Sequence, residues 1–196
     1  MIRGIESTTQ NGGLTNAAKF GMAGFGITLV LLGFAFAGVI AFNSVVLATV
    51  LTLGVVAPLI AGVLEFCKGN SYLATATVLF SLLFLTFYIF TTRTFGFAAS
   101  DGMTRGIFYA AWSLVTILIL CGTFARRMDV GMTMLLIVLT LFALFTLFLT
   151  AASFTGIAVL TTIAGILAIA TAAAIFVDFC LHICCRMNNS MEKLAQ

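Results

Sequence analysis

The chain is poor in charged residues, in proline and in aromatic residues that carry a polar group. Only 8% of its 196 residues are charged, and it contains one proline, one tryptophan and three tyrosines. Soluble domains are about a quarter charged and about half apolar. With 62% hydrophobic residues and a mean hydropathy of +1.24, this chain is excluded from that class. The composition predicts a membrane protein.

The signatures of soluble catalytic centres are also missing. The sequence contains no HExxH zinc motif, no GxSxG nucleophile elbow, no GxxxxGK phosphate loop and no CxxC pair. Asp178 and His182 share a helix face near the end of the chain, but the nearby Cys180, Cys184 and Cys185 point elsewhere on that helix. We therefore expect no enzyme, no metal site and no cofactor, and we interpret Asp178 as part of an ion pair or hydrogen bond.

Apolar runs of about 20 residues alternate with short polar stretches, and a helix of that length crosses the hydrocarbon layer. We predict an all-α integral membrane protein with six transmembrane helices, at residues 20–42, 45–65, 71–92, 106–125, 131–152 and 156–183. One transmembrane domain over residues 16–186 would then lie between two polar segments. We expect residues 1–15 to form a mobile N-terminal tail and residues 187–196 a mobile cytoplasmic tail.

The basic residues lie mainly on one side of these spans. With a cytoplasmic N-terminus, that side holds seven of them: Arg3, Lys19, Lys68, Arg126, Arg127, Arg186 and Lys193. The other side holds only Arg93 and Arg105, so the positive-inside rule predicts that both termini are cytoplasmic, in a plasma-membrane protein. Because the net charge of +3 comes from residues beside the membrane, we expect the lipid bilayer, and no nucleic acid, as a partner.

One charged turn separates the second and third spans, where ionisable groups are costly to place. Glu65 and Lys68 end the second span, and Gly69 and Asn70 follow them. One interpretation is a solvated turn with local pairing. The functional interpretation is that Lys68 concentrates anions at a pore mouth while Asn70 caps the third helix. Hydroxyls such as that of Thr75 then either replace water around a small solute or bond to their own backbone.

Two segments fit one known family pattern. The chain has Asn16, Gly21, Gly24 and Phe25 at the spacing of an Asn-Pro-Ala-Pro-Leu-Gly-Leu signature followed by Gly-Phe, although both prolines are replaced. The run Ala61-Gly62-Val63-Leu64-Glu65-Phe66-Cys67-Lys68-Gly69-Asn70 follows the pattern Ala-Gly-Leu-Leu-Glu-(aromatic)-x-Lys-Gly-Asn. These are motifs of the acetate uptake transporter family, which includes the acetate/succinate permeases. The chain resembles that family.

Further elements extend the resemblance over most of the chain. Trp112 and Thr116 have the spacing of the family's Trp-x-x-x-Thr element. In the family, a constriction is formed by the Phe of the first motif, a Tyr of the third span and an aliphatic residue of the fifth. The resemblance carries these roles to Phe25, Phe80 and either Val138 or Ile137, and Phe80 lacks the hydroxyl of the family's Tyr.

What the resemblance implies is a six-helix subunit that assembles as a homohexamer, with one pathway per subunit for acetate or similar small monocarboxylates, and succinate in some members. Four residues suggest a polar path: Thr28, Asn70, Thr75 and Thr116. Proton coupling would need a titratable group within the pathway, and neither intramembrane acid, Glu65 or Asp178, lies at mid-span. A channel-like mechanism therefore stays open beside a proton-coupled one, and transport could also select the neutral acid. Two alternatives stay open, export of ammonia or another small neutral solute and a non-transporting tetraspan-like scaffold.

Overall fold

The computed structural model describes residues 16–96, 98–125 and 130–194, and side chains over 18–96, 98–125 and 131–183. Six helices in these ranges are long and apolar enough to cross a membrane, as the sequence predicted. They are α1 (Asn16–Phe36), α2 (Ser44–Cys67), α3 (Ser71–Thr92), α4 (Gly102–Phe124), α5 (Val130–Thr155) and α6 (Ala158–Leu194). The chain is therefore a multi-pass, all-α membrane protein.

The largest boundary differences are at the two outer helices. The first span was predicted at 20–42, but α1 ends at Phe36 because the chain turns at Gly38, whose φ of +77° is accessible to glycine. The last helix continues to Leu194 and so includes residues 187–194 of the segment that the sequence analysis treated as a tail. Residues 1–15 lie outside the described part of the chain.

Helix α2 is wound in three parts, with α-helical ends at Ser44–Thr49 and Ala57–Cys67 and a π-helical segment at Val50–Val56 between them. Pro58 lies two residues after this segment, and it has no N–H with which to continue the hydrogen-bond ladder. Ser81 on α3 donates a hydrogen bond to the Val55 carbonyl at 2.8 Å. A side chain of the neighbouring helix thus binds the backbone where the winding changes.

Polar side chains fix the start of two helices. The Asn43 side chain accepts hydrogen bonds from the N–H groups of Val45 and Val46, both at 3.1 Å, at the start of α2. Asp101 accepts from the Thr104 N–H at 3.2 Å at the start of α4. Hydrogen bonds from Thr104 also hold the pKa of the Asp101 carboxyl below its ordinary value.

The six helices form a ring in chain order. Helix α1 packs against α2 and α6, α2 packs against α3, and α5 packs against both α4 and α6. Side chains complete the ring between α3 and α4, where the Phe90 and Phe108 rings lie 5.3 Å apart. Most buried apolar side chains point into this ring, so the centre of the bundle is the place to look for a site.

Candidate functional site

Four phenylalanines from three helices meet in the middle of the bundle. They are Phe25 on α1, Phe80 and Phe84 on α3, and Phe142 on α5. The centroid of the Phe25 ring lies 5.8 Å from that of Phe80, 5.1 Å from Phe84 and 5.2 Å from Phe142. The Phe80 and Phe142 rings are 5.3 Å apart and nearly perpendicular. These spacings are typical of favourable aromatic pairs. We refer to these four residues as the phenylalanine cluster.

A cavity of about 50 Å³ lies on one side of the phenylalanine cluster. Its walls come from the first halves of α1, α3 and α5, together with later parts of α2, α4 and α6. They are formed by Gly21, Met22, Phe25, Pro58, Tyr72, Leu73, Ala76, Thr77, Phe80, Ile119, Leu135, Val138, Leu139, Phe142 and Ile175. At about 10–15 Å³ for each water-sized group, it has room for roughly three to five of them.

A second cavity, of about 20 Å³, lies on the other side of the phenylalanine cluster, towards the later halves of α1, α3 and α5. It is lined by Leu32, Phe36, Leu83, Phe84, Phe87, Tyr109, Phe145, Thr146 and Leu149. The three rings of Phe25, Phe80 and Phe142 line the first cavity and that of Phe84 lines the second. The two spaces are therefore stacked along the bundle, with aromatic rings between them.

The residues predicted to form a constriction are brought together. Phe25 and Phe80 are in ring contact, and Val138 is buried and lines the first cavity with them. Ile137, the alternative to Val138, is 40% exposed and lines neither cavity. Of the two, Val138 is the one that lines the cavity.

The expectation of a continuous polar path is wrong for the described part of the chain. Thr28 and Thr116 are fully buried, but their hydroxyls donate to backbone carbonyls. Thr116 donates to Trp112 at 2.8 Å, and Thr28 donates to Gly24 at 3.0 Å and also lies 3.5 Å from the Thr49 carbonyl oxygen on α2. Thr75 is exposed and donates to its own helix too. None of the three lines either cavity, because each hydroxyl satisfies local backbone instead of facing open space.

The acidic residue of the charged turn between α2 and α3 is buried, although the rest of the turn is exposed. Glu65 is fully buried, and its carboxylate accepts hydrogen bonds from Lys68 Nζ at 3.4 Å and Asn70 Nδ2 at 3.2 Å. Local pairing is thereby confirmed, whereas solvation of Glu65 is not. The prediction that the Asn70 side chain caps α3 is wrong, because that side chain is turned back towards Glu65. Gly69 makes the turn itself, with a φ of +76°.

Three of the remaining motif residues lie in packing positions. Gly21 and Gly24 let α1 approach α2 closely, since a Cβ on Gly24 would lie 2.9 Å from the Leu53 carbonyl oxygen. Trp112 is partly buried against the core of the bundle. Asn16 is the first residue of α1, and its side chain lies outside the described part of the chain.

Asp178 is held by an ion pair, as one interpretation of the sequence expected. Its carboxylate contacts Lys19 Nζ on α1, and both side chains are at least 94% buried. Among the residues that the structure describes, no three His, Cys, Asp or Glu side chains are grouped for a metal ion. Cys184 and Cys185 have side chains outside that part.

Sequence reasoning missed three residues of the site. Phe142 follows Val138 by one helical turn, so the spacing alone carried a signal for its shared face. Phe84 follows Phe80 in the same way. Tyr72 lines the first cavity, and its hydroxyl donates to the Ile119 carbonyl and lies 2.7 Å from Thr123 Oγ1, which joins α3 to α4. No pattern in the sequence pointed to that contact, since its partners are on another helix.

One known protein family matches nearly the whole chain. The profile of the GPR1/FUN34/yaaH family matches residues 4–193. The chain is 32% identical over 168 residues to an uncharacterized protein of Methanothermobacter thermautotrophicus, covering 81% of this chain and 80% of that protein. It is 31% identical over 112 residues to the succinate-acetate/proton symporter SatP of Escherichia coli K12, covering 56% of this chain and 60% of SatP.

A solved structure is similar as well. The structure of the bacterial acetate channel SatP superposes with a TM-score of 0.76 at 26% sequence identity, over 84% of this chain and 90% of that one. The ring of six helices is therefore the fold of that channel.

Proposed function

Because the chain belongs to the GPR1/FUN34/yaaH family, we propose that it moves acetate and similar small monocarboxylates across a membrane. The pathway in this proposal runs from the first cavity, past the phenylalanine cluster, into the second cavity. Phe25, Phe80 and Val138, with Phe142, form the narrow part. The names of the similar proteins, an acetate channel and a succinate-acetate/proton symporter, support the substrate class.

The observation that carries the proposal is the position of the phenylalanine cluster between two cavities. A packed bundle without transport has no need of aligned spaces, whereas a gated pathway needs a closed point with space on each side. A hydrophobic constriction of this kind closes a path by excluding water. The first cavity, of about 50 Å³, matches the size of a solute with about four non-hydrogen atoms, which is the size of acetate.

The apolar lining favours the neutral acid as the species that crosses the cluster. Moving an isolated carboxylate into an apolar, low-dielectric space costs far more than moving the protonated acid. Only Tyr72 and Thr77 carry hydroxyls among the residues that line the first cavity. Passage of the neutral acid moves one proton with each acetate, so proton coupling requires no titratable side chain at mid-span.

We propose the plasma membrane as the location, with both termini in the cytoplasm, on the basis of the basic residues at one side of the spans. The proposed assembly is a homohexamer with one pathway in each subunit, in keeping with the family resemblance. Large apolar side chains are exposed on the outer faces of the helices, among them Leu114, Leu118 and Phe124 on α4, where lipid or a neighbouring subunit would cover them.

The proposal is tested by uptake of radiolabelled acetate into proteoliposomes that contain the purified chain. We expect a saturable component above the passive flux into empty liposomes. It should increase when the exterior is acidic and decrease when unlabelled formate or succinate is added. No component above empty liposomes, with the protein folded and assembled, would contradict the proposal. Competition by ammonium alone would favour the ammonia alternative instead.

A further inference from the structure

The π-helical segment of α2 contacts the phenylalanine cluster at Gly54. Short π-helical segments are rare, and many of them occur at functional sites. Gly54 lies near the middle of Val50–Val56 and is buried. A Cβ at position 54 would lie 2.9 Å from Thr28 Cγ2 on α1 and 3.4 Å from Phe84 Cγ on α3. The absence of a side chain therefore lets the backbone of α2 approach both of these helices closely.

Thr28 forms one side of this contact and is held firmly. Its side chain is fully buried, and its hydroxyl donates to the Gly24 carbonyl at 3.0 Å and lies 3.5 Å from the Thr49 carbonyl oxygen. A β-branched side chain in a helix has few alternative rotamers. Residues three apart lie on the same face of a helix, so Thr28 follows Phe25 along one side of α1. A displacement of Thr28 therefore moves the part of α1 that carries the Phe25 ring.

Phe84 forms the other side of the contact. Its side chain is only 2% exposed, and the centroid of its ring lies 5.1 Å from that of Phe25. The atom of Phe84 nearest to a Cβ at position 54 is Cγ, which joins the ring to the rest of the side chain. A displacement of Cγ moves the whole ring. Gly54 thus lies against a ring whose position sets one of the distances across the phenylalanine cluster.

We propose that Gly54 determines the width of the passage through the phenylalanine cluster, and with it the size of the carboxylic acid that passes. The inference rests on the proposed function, because it concerns the same pathway. Gly54 is a positioning residue, which acts through Thr28 and Phe84. A side chain at position 54 displaces one of these two residues, and a closely packed interior transmits that displacement to the Phe25 ring. The added volume narrows the space between the rings.

The test compares two acids that differ by one methyl group, formate and acetate. In the proteoliposome assay, Gly54→Ala should raise the ratio of saturable formate uptake to saturable acetate uptake about tenfold, the smaller effect typical of one methyl group in a fitted site. Gly106→Ala on α4 is the matched control. A Cβ at Gly106 would also meet a phenylalanine ring, 2.7 Å from an atom of Phe154, but Phe154 lines neither cavity. That variant should keep the wild-type ratio, since a loss of folded protein lowers both uptake rates equally.

A volume-conserving double variant keeps the test decisive if Gly54→Ala folds poorly. Thr28→Ser removes Cγ2, the atom closest to the new Cβ, and keeps the hydroxyl that donates to the Gly24 carbonyl. The double variant Gly54→Ala/Thr28→Ser therefore moves one methyl group across the contact, and it should return the formate-to-acetate ratio towards the wild-type value. Thr28→Ser alone enlarges the space next to Gly54, so it should lower the ratio below that of the wild type.

Separate outcomes overturn this inference and the proposed function. A wild-type ratio in folded Gly54→Ala contradicts the role of Gly54 alone, as does a wild-type ratio in Thr28→Ser. A double variant whose ratio stays as high as that of Gly54→Ala also contradicts it, because the contact with Thr28 is then not the cause. Absence of any saturable uptake by the wild-type protein contradicts the proposed function, and the role of Gly54 with it.

Discussion

Lys19 on α1 and Asp178 on α6 lie 159 positions apart in the chain and form a buried ion pair. Neither side chain is more than 6% exposed. A lone ionised group in this position would lack both water and a counter-charge, so each residue makes the other tolerable. The pair holds the beginning of the bundle to its end and closes the ring at α1 and α6.

Disruption of one side of this pair should destabilise the bundle strongly. We expect Asp178→Ala to lower the free energy of unfolding by about 3–5 kcal/mol, because Lys19 is left buried and unpaired. The double variant Lys19→Met/Asp178→Leu should recover most of that loss. Thermal unfolding in detergent measures both. Equal destabilisation by the single and double variants would show that the charges are not coupled.

The contact between α1 and α6 should also be sensitive to side-chain volume. A Cβ on Gly165 would lie 2.6 Å from the Gly33 carbonyl oxygen and 2.5 Å from the Ala37 nitrogen, and these backbone atoms cannot move without shifting a helix. Gly165→Ala should therefore cost about 1–3 kcal/mol. Ala173→Val, at an exposed position on the same helix, is the matched control. If both variants unfold at the wild-type temperature, the contact between α1 and α6 is not sensitive to side-chain volume.

The hydrogen bond from Ser81 to the Val55 carbonyl should support the π-helical segment of α2. Ser81 is fully buried, so Ser81→Ala removes the hydrogen bond to that carbonyl without admitting water, at a cost of about 1–2 kcal/mol. Thr86→Val is a suitable control, because the exposed Thr86 hydroxyl bonds only to its own helix. Thermal unfolding again gives the readout. A stability equal to that of Thr86→Val would mean that Ser81 does not support the segment.

The six helices could be predicted because hydropathy is a local property. Each apolar run is long enough to be recognised without knowledge of its neighbours, and the single proline of the sequence, Pro58, lies in the second of them. The π winding itself was not predictable, since the sequence does not show which residues of neighbouring helices, such as Ser81 and Gly24, contact this segment. The first helix begins at Asn16 and not at residue 20 as predicted. A lysine at position 19 is expected at the membrane interface unless its partner on α6, Asp178, is known.

The centre of the site was only partly predictable from the sequence. Phe25 and Phe80 came from the family resemblance, and the structure brings their rings together. Phe142 was missed because the rotation of α5 decides which of its residues face inward. Thr28 and Thr116 were expected on a polar path because the sequence shows that they carry hydroxyls. It does not show that these hydroxyls donate to backbone carbonyls.

Acetate uptake should follow the concentration of the undissociated acid. If the neutral form crosses the phenylalanine cluster, uptake at fixed total acetate should fall about tenfold for each pH unit above the carboxyl pKa of about 4–5. No further inflection should arise from a side chain at mid-span. Initial uptake rates between pH 5 and 8 test this. A rate that is constant over this range would mean that the acetate ion is the transported species.

The central claim is that the solute passes between the rings of the phenylalanine cluster. Its most direct test is acetate flux through proteoliposomes containing Phe25→Ala, Phe25→Trp or the control Phe34→Ala, whose position on α1 is 37% exposed. We predict that Phe25→Ala changes the saturable flux by at least severalfold, that Phe25→Trp abolishes it and that Phe34→Ala leaves it unchanged. Wild-type flux in both Phe25 variants, at equal amounts of folded protein, would contradict the claim.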